Sequence, residues 1–264
     1  MKRISGTKEW AVANVNCVDG CSHNCRYCYA RYMQCDRLKR IKAKDWPNEK
    51  IRTHDVDRPR NKLYPGTVMF PTTHDITEKT VKACLIVLWK LLVTGNRVLI
   101  VSKPHLPVIK MLCKELFLSR ESVMFRFTIG SMDNKILKFW EPGAPTFEER
   151  RDALRIAFNR GFSTSVSVEP MLNSSDVVKM FHYLEPNISD SYWIGKMNKI
   201  SQRVKYNPKD TDERWMVRHV IEGQTDDCIR CIYQRLKDEP KVRWKESIKS
   251  IVGIPLATEA GTDK

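Results

Sequence analysis

Cys21-Ser-His-Asn-Cys25-Arg-Tyr-Cys28-Tyr-Ala-Arg31 decides how the rest of the chain is read. Three cysteines stand at a CxxxCxxC spacing. Thiolates are soft ligands that suit iron–sulfur clusters and zinc. Ferredoxin cubanes take four cysteines. Three thiolates on one short loop hold three irons and leave the fourth without a protein ligand, a position open to chemistry. Two other readings stand beside this one: a zinc knuckle, and a ferredoxin-like cluster with a remote ligand. Each wants a fourth donor, and His23 or Cys35 is near enough in sequence to serve.

The bulk properties narrow the setting. A chain of 264 residues suffices for one full core with at most a small appendage. Apolar residues at 42% and charged residues at 29% are the proportions of a soluble globular protein. No run of 18 apolar residues occurs, and Met1 to Trp10 has no apolar signal core, so the expectation is a cytoplasmic protein with no membrane partner. Nine cysteines without an export signal point to reduced thiols and metal, not disulfides. Lys and Arg outnumber Asp and Glu 46 to 31, a formal charge of +15 that suggests an anionic partner, a basic surface without nucleic-acid function being the alternative.

Downstream of the cysteines, strand and helix patterns alternate. Expected strands are 9–15, 66–73, 97–103, 123–129, 162–168 and 190–196. Val81, Leu85, Leu88, Leu91 and Leu92 give the stretch 77–93 helical period, and Gly95-Asn96 ends it. A second helix is expected over 106–118. A third runs from Thr146 or Phe147 to Asn159, with Thr146 and Glu149 at capping-box spacing and Gly161 after its end. Serine and threonine interrupt the apolar run of 162–168, as a strand lining a polar cavity would require. The pattern predicts an α/β fold, a parallel sheet of six strands curled into a partial barrel. In such folds the loops after the strands build the site. They bring Thr72 to Asp75, Ser102 and Lys103, Gly130 and Ser131, Glu169, and Lys196 to Asn198 to the same mouth as the cysteines.

With its CxxxCxxC loop and βα ladder, the chain resembles the radical S-adenosylmethionine (radical SAM) superfamily. Phe127-Thr-Ile-Gly-Ser131-Met-Asp133, Glu141-Pro142-Gly-Ala-Pro145 and Ser167-Val-Glu169-Pro170-Met resemble its spore photoproduct lyase-like group over roughly residues 10–198. The resemblance implies a partial (β/α)6 TIM-like barrel over residues 1–198; it fades after Asn198, and 199–264 is expected to be a helical extension packed on the barrel. It implies a [4Fe–4S] cluster on Cys21, Cys25 and Cys28, and S-adenosylmethionine bound at the open iron. One electron would then cleave the sulfonium and yield a 5′-deoxyadenosyl radical that takes a hydrogen atom from the substrate. Tyr27 would lie beside the adenine. Thr72, Thr73, His74 and Asp75 would stand near the methionine amino group, although the usual Gly-Gly-Glu form is absent. Ser131 and Glu169 would reach the methionine carboxylate or the ribose, and Lys103 or Arg126 would neutralise that carboxylate. A one-electron reductase such as flavodoxin or ferredoxin is the implied partner.

On this reading the protein is a lyase acting on a nucleotide or nucleic-acid component. Salvage of a deazapurine nucleotide such as a queuosine derivative, repair of a DNA photoproduct, and nucleic-acid binding around a structural cluster are the alternatives. Lys196 and Asn198 at the mouth, and Cys228 and Cys231, are catalytic candidates; the two cysteines pack, bind metal or return a hydrogen atom. Pro142 and Pro145 are expected to shape an exposed loop. Between Arg37 and Lys62 ten basic residues meet four acidic ones. That segment either touches a phosphate backbone or is a solvated linker. Trp10, Trp46 and Tyr64 are candidates for base stacking. The basic stretch 237–249 is an electrostatic platform or a surface helix.

Overall fold

The computed structural model describes residues 4–263. Nine strands form in chain order: β1 (Ala13–Asn14), β2 (Val18–Asp19), β3 (Lys50–Ile51), β4 (Val68–Phe70), β5 (Val98–Ser102), β6 (Val123–Thr128), β7 (Ser163–Val168), β8 (Tyr192–Ile194) and β9 (Val242–Trp244). Seven of them make one parallel sheet in the order β1-β4-β5-β6-β7-β8-β9, while β2 and β3 pair antiparallel beside it. Ala13 pairs with Val68, Val68 with Val98, Val98 with Val123, and Met124 with Ser163. The six parallel strands expected from the pattern are there, and β9 adds a seventh at the β8 edge.

The alternation along each strand sets what faces where. Val68, Phe70, Ile100, Phe125, Phe127, Val166 and Val168 pack outward into the main core under the helices. Met69, Leu99, Val101 and Met124 turn inward and, with Trp10 and Ala11, form a separate apolar plug. The helix Val81–Val93 crosses from β4 to β5, Leu106–Glu115 from β5 to β6, Phe147–Asn159 from β6 to β7, and Val177–Leu184 from β7 to β8. Thr146 caps its helix by accepting from the Glu149 amide at 3.4 Å; the Glu149 carboxylate instead accepts from the Leu106 amide at 2.9 Å, joining neighbouring helices. Among the described residues, no helix is long and apolar enough to cross a membrane.

The expected first strand shortens to two residues. Gly6–Glu9 forms a 3-10 turn instead, and it reaches the far edge of the sheet. Glu9 there meets Lys245, just past β9, at 2.9 Å, and accepts from the Glu246 amide at 3.0 Å. The two open edges of the barrel are tied by this buried ion pair. The stretch 237–249 is therefore neither a free platform nor one surface helix: it holds β9, the buried Lys245 and the start of the helix Glu246–Val252.

Candidate active site

A cavity of about 910 Å3 opens at the C-terminal ends of the strands. Cys21, Cys25, Cys28 and Tyr27 line one side. Thr72, Thr73, His74 and Asp75 after β4, Lys103 after β5, Glu169 after β7, and Lys196 and Asn198 after β8 line the rest. Of the polar residues of β7, Ser167 faces the same space, while Thr164 donates to the Asn187 carbonyl at 2.8 Å and Ser165 to the Ser191 carbonyl at 2.7 Å.

The cysteine loop is held from two sides. On one, Gly20 (φ +80°) packs so tightly that a Cβ would lie 2.6 Å from the Trp46 carbonyl oxygen. The Cys21 amide donates to that carbonyl at 2.9 Å, and the Ser22 amide and hydroxyl donate to Glu49 at 3.2 and 3.0 Å. On the other, the Arg26 amide donates to the Trp140 carbonyl at 2.8 Å and the Gly143 amide to the His23 carbonyl at 3.0 Å. Below the loop, Glu141 is fully buried, accepts from the Tyr27 hydroxyl and pairs with Arg150 at 2.5 Å. Arg150 also donates to the carbonyls of Pro145 at 2.9 Å and Thr128 at 3.2 Å. The Glu141–Pro145 segment is a cradle for the cysteine loop, and Pro145 is buried, not part of an exposed turn.

Asp75 knots three loops together. Its Oδ1 accepts from the Ile76 amide at 2.8 Å and the Ser102 hydroxyl at 2.5 Å; its Oδ2 accepts from the Lys103 amide at 2.8 Å and lies 3.2 Å from His23 Nδ1. Burial opposes its charge, but His23, Lys103 and Ser102 outweigh burial and hold the carboxyl well below the usual range. His23 continues through Nε2 to His105 Nε2 at 2.8 Å. His74 Nδ1 donates to the Asp75 carbonyl at 2.9 Å and its Nε2 accepts from the Cys17 amide at 3.2 Å, so both ring nitrogens are used within the protein. Asn16, which the sequence did not single out, orders the next turn. Its Oδ1 accepts from the Thr72 and Thr73 amides at 2.7 and 2.8 Å, and its Nδ2 donates to Thr72 Oγ1 at 2.7 Å.

The donor set fits a cluster. Burial pushes the Cys25 thiol up to about 12 against the pull of Lys103, and drives the Cys21 thiol well above its ordinary value. Thiols this dry release their protons when a metal cation takes their place. Lys103 is half-buried, and Cys25, Glu141 and Asp75 around it outweigh the cost of desolvation and keep it protonated. Among the described residues no three His, Cys, Asp or Glu side chains converge on one metal ion.

A family model described as the Radical SAM superfamily matches residues 15–184, more than half of the chain. The chain belongs to the radical SAM superfamily. Such proteins typically use a [4Fe–4S] cluster and S-adenosylmethionine. "Uncharacterized protein MJ0683" of Methanocaldococcus jannaschii is 26% identical over 208 residues, covering 68% of this chain and 78% of its own length. Among solved structures, a spore photoproduct lyase cysteine-to-alanine mutant with dinucleoside spore photoproduct superposes with a TM-score of 0.57 at 15% identity, over 92% of this chain and 78% of that one. A tyrosine-to-phenylalanine mutant of spore photoproduct lyase gives a TM-score of 0.57 at 16% identity over the same shares. At these identities the likeness is one of fold.

Four candidates read from the sequence lie outside the cavity of this radical SAM barrel. Arg126 points inward from β6 but sits beneath Trp10, its guanidinium 4.6 Å from that ring and 5.2 Å from Trp193, bonded to Ser165 at 2.9 Å. Ser131 is spent on Asp176 at 2.7 Å and on the Asp133 amide at 2.9 Å. Cys228 and Cys231 stand on the helix Asp226–Leu236; the Cys228 thiol meets the Glu222 carbonyl at 3.5 Å, and Cys231 is exposed. None of the four lines the space where a cofactor or substrate would sit. Trp46 is only 1% exposed and packs against Cys21 and Ala30 at the cavity wall.

Proposed function

We propose that this radical SAM enzyme is a lyase acting on a modified or cross-linked base within nucleic acid, a photoproduct-repair type of reaction. The observation that carries the reading is the cavity of about 910 Å3 shared by the three cysteines and the strand-end loops. It lies near the top of the range of about 300–1,000 Å3 for small-ligand sites, room for a cofactor and part of a substrate side by side. The likeness in fold to spore photoproduct lyase carrying a dinucleoside photoproduct supports a linked pair of bases as the substrate, ahead of a salvaged deazapurine nucleotide.

In this reading Cys21, Cys25 and Cys28 hold a [4Fe–4S] cluster. Bound together and reduced, cluster and S-adenosylmethionine supply a 5′-deoxyadenosyl radical. The chain's own residues do the rest. Tyr27, fixed by Glu141, walls the adenine side. Thr72 and Thr73, ordered by Asn16, face the methionine end, with the Lys103 ammonium nearby to offset its carboxylate. Glu169 receives the ribose hydroxyls, and Lys196 and Asn198 contact the substrate. His74 and Asp75 act on the cofactor through the loops they order. A one-electron reductase of the flavodoxin or ferredoxin kind completes the system.

The test is anaerobic turnover on an oligonucleotide carrying a methylene-linked thymine dimer deuterated at C6 of the saturated ring, the carbon whose radical can expel the linker by β-scission. The reading expects 5′-deoxyadenosine with transferred deuterium, and restored thymines. If only a free modified nucleotide drives that transfer, the nucleic-acid reading is wrong.

A further inference from the structure

A second cavity, of about 380 Å3, abuts the first. Asn14 and Asn16 at the end of β1 line both, so the two spaces share one partition. The opposite wall of the second cavity is the stretch Arg58–Tyr64 with Arg52 and Asp55. That stretch has no regular secondary structure, yet its backbone is tied down. Thr94 donates to the carbonyl of Arg60 at 2.5 Å and Asn96 to that of Lys62 at 3.0 Å, and the helix Thr53–Asp57 just before the stretch is held by Lys90, which donates to the carbonyls of Val56 and Asp57 at 2.8 and 2.7 Å. The Tyr64 amide returns a bond to Asn96 at 2.9 Å. With its carbonyls turned onto the helix Val81–Val93 and the turn after it, the segment presents its side chains to the cleft. This is not a solvated linker.

The cleft is cationic and largely uncompensated. Arg52 takes up the nearby acids, meeting Asp55 at 2.6 Å and Asp19 at 3.1 Å. Among the described residues, Arg58 and Lys62 have no ion pair with an acid, and the Lys62 ammonium rests 4.9 Å from the Tyr64 ring centre. Burial lowers the Arg60 pKa; Asp55 opposes this only in part, and the like charge of Arg58 adds to it. Arg58, Arg60 and Lys62 stand at alternate positions of the segment, and all three line the cleft. A row of fixed positive charges suits a chain that carries a phosphate on every unit better than it suits a single phosphate.

We infer that this cleft is a strand-tracking subsite: a nucleic-acid strand whose modified unit enters the main cavity passes over Asn14 and Asn16 and lays its next phosphates against Arg58, Arg60 and Lys62. The inference rests on the nucleic-acid reading above and sharpens it, because it requires a phosphodiester strand and not a free nucleotide.

The test is fluorescence anisotropy under anaerobic conditions with cluster-loaded protein and labelled twelve-nucleotide single strands, DNA in one arm and RNA in the other. The Arg58→Glu/Lys62→Glu variant should bind at least tenfold more weakly in whichever arm binds. Its plot of log affinity against log salt should be shallower by about 0.7 for each phosphate the variant no longer neutralises. Unchanged affinity and slope would overturn the inference, as would displacement of the strand by polyglutamate at equal charge. Iron content and thermal melting report whether the variant folds; the milder Arg58→Gln/Lys62→Gln variant replaces it if not. Binding needs no turnover. A chain that binds through this cleft yet forms no 5′-deoxyadenosine would sink the lyase reading alone, and one that turns over without using the cleft would sink only the subsite.

Discussion

Gly143 and Ser22 stand so close that nothing larger than hydrogen fits between them: a Cβ on Gly143 would lie 2.1 Å from the Ser22 carbonyl oxygen. The obstacle is backbone, and it belongs to the loop that carries Cys21 and Cys25. Gly143→Ala must therefore displace the cysteine loop or the cradle beneath it. Overpacking of this kind costs about 1–3 kcal/mol. The expected result is a lower urea midpoint and fewer irons per chain after anaerobic reconstitution. A variant with wild-type iron content would show that the cradle does not position the loop.

The Glu141–Arg150 pair lies beneath the same loop and is fully buried on both sides. Arg150→Met leaves Glu141 buried without its main counter-charge, a loss of about 3–5 kcal/mol. The double variant Glu141→Leu/Arg150→Met should regain much of that stability, because no charge is then stranded. It should bind less iron than Arg150→Met, since replacing Glu141 takes away the acceptor of the Tyr27 hydroxyl. Denaturation curves and iron assays separate the two effects. Equal stability of Arg150→Met and wild type would rule the pair out as a structural element.

Asp75 gives a pH dependence with a definite sign. Its folded pKa lies below the ordinary carboxyl value. Its contribution to stability is therefore complete above the unfolded value of about 3.9 and is lost as pH falls through the folded one. Asp75→Asn sets an amide donor against the donors on that side chain, at a cost of about 1–3 kcal/mol near pH 7. The gap between wild type and variant should hold from pH 7 to pH 5 and shrink below pH 4. A gap that widens toward acid pH would reverse the assignment.

Cys228 and Cys231 are expected to be dispensable. The Cys228→Ala/Cys231→Ala variant should keep its iron, its formation of 5′-deoxyadenosine and its product yield within about twofold. Loss of product with cofactor cleavage intact would make one of them a hydrogen donor after all, through a rearrangement of the helix Asp226–Leu236.

The parallel ladder could be read in advance because its strands carry apolar runs and its helices a clear period. The strand β9 could not, since Val242-Arg-Trp244 is three residues long and stands among lysines. Cys21, Cys25 and Cys28 were legible as a set because metal chemistry fixes their spacing. Arg126 misled because a strand residue pointing into a barrel looks like a ligand until a tryptophan is found above it. Asn16 and Arg150 were silent for the opposite reason. Their partners, Thr72 and Thr73 for one, Glu141 and Thr128 for the other, are distant or unremarkable in sequence, and only folding brings the pairs together. In Glu141 to Pro145 the family likeness was readable, but not the role of the segment as a cradle.

The most direct measurement is of 5′-deoxyadenosine itself. Protein reconstituted anaerobically with iron and sulfide, reduced with dithionite and given S-adenosylmethionine should release 5′-deoxyadenosine and methionine, and Cys25→Ala should release neither. Wild-type protein with an intact [4Fe–4S] spectrum that forms no 5′-deoxyadenosine, with or without an oligonucleotide substrate, would contradict the account at its centre.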